Sequence, residues 1–99
     1  MVLRKVIWNS IALQKLKETC DYIKNDSLQN ARKVRNDVLD VTRSLCTYPE
    51  RYPLDKYKTD NYGTYRAFEM HRLRIAYRVL STEVKIIALR HTSMGPMDN

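Results

Sequence analysis

Six side chains able to handle an anion crowd the last third of the sequence: Arg66, Arg72, Arg74, Arg78, Arg90 and His91. Planar guanidinium forks match the oxygens of phosphates and carboxylates. An unperturbed imidazole titrates close to working pH. Such groups contain the parts for RNA cleavage without a metal: a base for the 2′-OH, cations for the phosphate and an acid for the leaving oxygen. In that case His91 is the candidate acid or base and the arginines are the candidate phosphate stabilisers. The same six residues suit an acidic segment of a partner protein equally well. The plainer alternatives are a solvated arginine stripe and an incidental histidine. No other catalytic signature competes, because GxGxxG, P-loop, HExxH and GxSxG patterns do not occur and two Gly cannot build a phosphate-cradling loop. His71 and His91 have no carboxylates at ligand spacing, so neither a metal nor an organic cofactor is expected.

The elements that must position this cluster are legible from periodicity. Val2 to Trp8 is short and rich in β-branched residues, as a strand is, and Asn9 or Ser10 can cap a helix behind it. Ala12, Leu16, Cys20 and Ile23 then recur at helical spacing. Asn25-Asp26-Ser27 breaks that helix, and Ser27 can cap a second one carrying Ala31, Val34, Val38, Val41 and Leu45. Pro49 and Pro53 open an irregular stretch through Gly63. Its tyrosines Tyr48, Tyr52, Tyr57 and Tyr62 lie among Arg51, Lys56 and Lys58, either pinning a surface loop or contacting a base or partner.

Beyond Gly63 the period changes to that of strands. Tyr65 to Met70, Leu73 to Leu80 and Val84 to Leu89 are the expected strands, joined at His71-Arg72 and Ser81-Thr82. Neither junction carries an Asn-Gly or Asp-Gly pair, so the turn type stays open. The middle strand puts Leu73, Ile75, Tyr77 and Val79 on one face and Arg74, Ala76 and Arg78 on the other. The first face is expected to pack on the helices and the second to present free guanidiniums to solvent. The fold class is therefore α+β, order β-α-α-β-β-β, with a helical hairpin on a mostly antiparallel sheet.

Bulk properties set the outer limits. Ninety-nine residues suit one domain, residues 1–99. Eighteen Lys and Arg against eleven Asp and Glu leave a net charge of +7, which favours polyanionic partners. No apolar run reaches the roughly 20 residues that span a bilayer, and no signal-peptide pattern is found near Met1. Cys20 and Cys46 form no CxxC and lie at helical apolar positions, as reduced structural thiols of a cytoplasmic protein would.

The order of residues, beyond their types, resembles the RelE/ParE superfamily of type II toxins, known also from plasmid stabilisation systems. The resemblance rests on Trp8-Asn9-Ser10-x-Ala12, Leu16, Tyr22-Ile23, Ser27-x-x-x-Ala31, Leu45 with Pro49, and Tyr65-Arg66. Arg74-Ile75-Ala76-Tyr77-Arg78-Val79 and Val84 to His91 look like the family's last two strands. It implies two helices on a mostly antiparallel sheet, and a cognate antitoxin that wraps the toxin and gains order on binding. RelE-like members are ribosome-dependent messenger-RNA endoribonucleases; ParE-like members inhibit DNA gyrase by direct binding. Carried over by position, Arg66 and Arg74 fall on basic positions of the nuclease set. Phe68 stands where a lysine is expected, Ser93 or Met94 where an arginine is expected, and no Tyr follows in Pro96-Met97-Asp98-Asn99. The ending Arg90-His91-Thr92-Ser93-Met94-Gly95-Pro96 and the Tyr22-Ile23 pair look more like ParE. The resemblance thus implies a gyrase inhibitor, with an mRNA endoribonuclease or an inactive antitoxin-binding relative as alternatives.

Overall fold

The structure is a computed structural model, described here for residues 3–92. It comprises β1 (Lys5–Trp8), α1 (Ser10–Lys24), α2 (Leu28–Ser44), β2 (Tyr65–Met70), β3 (Leu73–Val79) and β4 (Glu83–His91). The order is the β-α-α-β-β-β expected. The sheet runs β1-β4-β3-β2, antiparallel between β2, β3 and β4 and parallel between β1 and β4. The helical hairpin serves as the long connection that returns the chain from β1 to the same sheet, as parallel pairing requires.

Both helices start where a side chain can take over an orphan amide. Asn9 Oδ1 accepts from the Ala12 N–H at 2.7 Å, and Ser27 Oγ accepts from the Asn30 N–H at 3.1 Å. Ala12 and Leu16 from α1 and Ala31, Val34 and Val38 from α2 are buried, with Cys20 and Ile23 half-buried beside them. In the last turn of α2 the enclosed residue is Thr42 rather than Val41, which is half-buried. The threonine is accommodated because its hydroxyl donates back to the carbonyls of Val38 (2.9 Å) and Leu39 (3.1 Å).

The helices pack on the face made by Val6, Trp8, Phe68, Leu73, Ile75, Tyr77, Val84, Ile86 and Leu89. Tyr77 is fully enclosed, and its hydroxyl donates to the Pro49 carbonyl at 2.8 Å. Burial pushes its pKa up, which keeps the phenol protonated and donating. The register slips by one residue between Ala76 and Tyr77, so Ile87 is the extra residue of a bulge. The β2–β3 junction has positive φ at both His71 (52°) and Arg72 (61°), the signature of a type I′ turn without glycine. His71 Nε2 is tied to Asp37 Oδ2 of α2 at 2.7 Å, which holds the turn against the helix.

Part of the second face of the sheet, expected to be open to solvent, is covered instead. The segment between α2 and β2 folds across it. Asn61 holds the segment's far end, donating to the carbonyl of Tyr65 at 2.8 Å and accepting from the Gly63 and Tyr65 amides. Tyr52 stacks on Phe68 at 4.5 Å on the core side, while Asp55 and Tyr57 reach over the other. The tyrosines of this segment thus divide: Tyr52 is packed, Tyr57 lies against the sheet, and Tyr48 and Tyr62 stay exposed.

Candidate functional site

The register decides which of the six candidate residues can act together. Directly paired residues share a face. Arg74 faces Glu69 on β2 and Arg90 on β4, and Arg78 faces Tyr65 and Lys85. Arg74, Arg78 and Arg90 therefore project from the face away from the helices. Arg66 pairs with Tyr77 and His91 with Leu73, which puts both on the helix-packed face. Arg72 occupies the exposed turn at the sheet's end. The six divide between the two faces and the end of the sheet.

Arg74 corrects the expectation of a free guanidinium. It is only 9% exposed. Its Nη2 donates to Asp55 Oδ1 at 2.8 Å and its Nη1 to Glu69 Oε2 at 3.0 Å. Tyr57 covers it, with the guanidinium carbon 4.6 Å from the ring centroid. Burial works against the charge, but the hydrogen bonds and charges of Asp55 and Glu69 outweigh it and raise the pKa. Alternation assigned the correct side to Arg74; it could not show the lid that closes over that side. Arg78 departs from the expectation less: it is half-buried, its guanidinium lies 5.0 Å from the Tyr65 centroid, and its Nε is enclosed without a hydrogen-bond partner.

Arg66 is occupied as well. Its Nη1 donates to the Tyr52 carbonyl at 2.6 Å, and its Nε is enclosed without a hydrogen-bond partner. The strand position of Arg66 also bridges to Leu54, so the residue clamps the covering segment to the sheet edge. The three ribonuclease candidates, Arg66, Arg74 and His91, thus do not converge. Arg66 and Arg74 lie on opposite faces, each engaged by protein groups. Ser93 and Met94, at the remaining position of the nuclease set, lie outside the described residues.

Sequence reasoning missed Asp55 and Lys85, and it named Tyr57 and Tyr65 without placing them beside the arginines. Tyr57 takes Arg74, Lys56 (5.1 Å) and Arg90 (6.0 Å) against its ring, and Tyr65 takes Lys58 (4.5 Å) and Arg78. Lys85 could have been found from its place opposite Arg78 once the hairpin register was known. Asp55 carried no local signal, since its partner lies nineteen residues away. Among the described residues no cluster of His, Cys, Asp and Glu could hold a metal ion. No helix there is long and apolar enough to cross a membrane. Cys20 and Cys46 are free thiols, and burial raises the pKa of Cys20, which makes it a poor nucleophile.

Comparison with known proteins gives the family. A search of curated proteins finds no match. Among solved structures, a chain from the chromosomal ParDE TA system of P. aeruginosa aligns with a TM-score of 0.70 at 15% identity, covering 90% of this chain and 96% of that one. A chain of the YoeB dimer from Staphylococcus aureus aligns with a TM-score of 0.53 at 17% identity, covering 91% and 98%. At such identities these likenesses establish the fold. The sequence model described as ParE toxin of type II toxin-antitoxin system, parDE, matches residues 6–96. The chain therefore belongs to the ParE toxin family of type II toxin–antitoxin systems.

Proposed function

We propose that this protein arrests growth by binding DNA gyrase directly, and that a cognate antitoxin neutralises it. Family membership supports the toxin role and the antitoxin partner. The observation that carries the choice of target is the placement of Arg66 and Arg74 on opposite faces, each engaged by protein groups. RNA cleavage needs cations and a proton carrier converging on one phosphate. Binding to a protein target needs none of that. The remaining contact candidates on this reading are Arg72, Arg78, Arg90 and His91, with Arg66 and Arg74 acting as supports. The protein works as one domain in the cytoplasm, where both partners are found.

Induction in a bacterium tests the proposal against its alternatives. Growth arrest with a DNA-damage response and intact transcripts, mapped by primer extension, is the expected outcome. Cleaved transcripts would assign the protein to the endoribonucleases instead. Normal growth would leave a relative that only binds its antitoxin.

A further inference from the structure

The helix-free face of the sheet breaks a pairing rule twice. Across β3 and β4, Arg74 lies directly opposite Arg90 and Arg78 directly opposite Lys85. Like charges at directly paired positions, with Cβ atoms about 5 Å apart, destabilise a sheet. Between the two cationic pairs runs a row of alanines, Ala67-Ala76-Ala88, in register across three strands. Ala76 and Ala88 keep partial exposure, so the middle of the face is a shallow trough. The pairs stand four residues apart on β3, about 13 Å along the strand.

Carboxylates answer only part of this charge. Arg74 has Asp55 and Glu69, and Lys85 has Glu83 at 3.5 Å. Among the described residues, Arg78, Arg90, Lys56 and Lys58 have no carboxylate partner. Each rests instead against Tyr65 or Tyr57. A ring attracts a cation and fixes its position without cancelling its charge. Cations held in place but not neutralised, Arg78 and Arg90 on strands and Lys56 and Lys58 on the covering segment, are prepared for an external polyanion. Breaches of local pairing rules of this kind concentrate at functional sites.

We infer that this face binds the phosphate backbone of duplex DNA, with Arg78, Arg90 and Lys85 as the principal contacts. A duplex presents phosphates at fixed spacing to a fixed array, which suits cations immobilised on strands. Single-stranded recognition needs open aromatic faces for base stacking. Here Tyr57 and Tyr65 already carry cations on their rings. The inference goes beyond the gyrase reading and is tested without that enzyme.

The test is fluorescence anisotropy of a short labelled duplex titrated with the full-length protein over a range of salt. Arg78→Gln with Arg90→Gln should weaken binding about tenfold or more near 0.1 M salt and reduce the salt slope by about 2. Lys15→Gln with Arg32→Gln removes the same charge from exposed positions on the helices and should change neither the slope nor the affinity as much. Thermal melts by circular dichroism confirm that both double variants are folded. Equal losses from the two variants would overturn the inference, because only net charge would then matter. So would tighter binding to a single strand of the same sequence. Displacement of the duplex by a polyglutamate peptide at lower charge concentration than by unlabelled duplex would reassign the face to an acidic protein and likewise overturn it.

Discussion

Arg74 and Asp55 meet at 2.8 Å across nineteen residues of chain, the arginine 9% exposed and the aspartate 5%. This ion pair holds an irregular segment as a lid over part of the sheet. Removing Arg74 leaves Asp55 charged and enclosed, a loss of about 3–5 kcal/mol for a buried pair. Removing Asp55 leaves the enclosed Arg74 with only the exposed Glu69. Glu69 touches the same guanidinium from an exposed position and should be worth about 1 kcal/mol or less. Urea denaturation should therefore rank Asp55→Ala and Arg74→Ala well below Glu69→Ala. Equal midpoints for Asp55→Ala and Glu69→Ala would show that the lid is not held by this pair.

Tyr77 supplies a second anchor for the same segment from the core side. Its hydroxyl bond to the Pro49 carbonyl is buried, so Tyr77→Phe leaves that acceptor without its partner. The expected loss is about 1–3 kcal/mol, read from the denaturation midpoint with an unchanged slope. A variant as stable as the parent would mean that another donor reaches Pro49.

Val38 is fully enclosed between α2 and the sheet. Val38→Ala removes packed methyl groups and should cost about 1–3 kcal/mol. An unaltered melting curve would contradict the packing of the second helix.

Asp37 gives a pH signature to the β2–β3 turn. Its carboxyl is held below the ordinary aspartate range, first by the hydrogen bond to His71 and then by that to Lys33. A carboxylate with a lowered folded-state pKa stabilises fully above its unfolded value and loses the contribution as pH falls through the folded one. The stability gap between the parent and Asp37→Asn should accordingly narrow as denaturation is repeated at falling pH across the carboxylate range. A gap that widens on acidification would reverse the sign assigned here.

Periodicity and capping residues carried most of the fold. The helices begin at Asn9 and Ser27 because those side chains satisfy local amides, and local rules see local bonds. Strand alternation placed Arg74 and Tyr77 on opposite faces for the same reason. The parallel pairing of β1 with β4 and the lid were not legible, because both depend on partners far apart in sequence. Asp55 in a Pro- and Tyr-rich stretch gives no sign that Arg74 will lie beside it. Arg66 and Arg74 read as neighbours in one basic cluster until the register separates them by the thickness of the sheet.

The turn at His71-Arg72 shows how tertiary contacts override local preference. Type I′ turns favour Asn-Gly and Asp-Gly, yet here two side-chain-bearing residues hold positive φ. The 2.7 Å contact from His71 to Asp37 ties the strained turn to α2. Only the folded arrangement brings those two residues together.

The most direct measurement of the central claim is supercoiling of relaxed plasmid by purified DNA gyrase in the presence of this protein. Inhibition that rises with toxin concentration, and is abolished by the cognate antitoxin, is the predicted result. Undiminished supercoiling at toxin concentrations that arrest growth would contradict it.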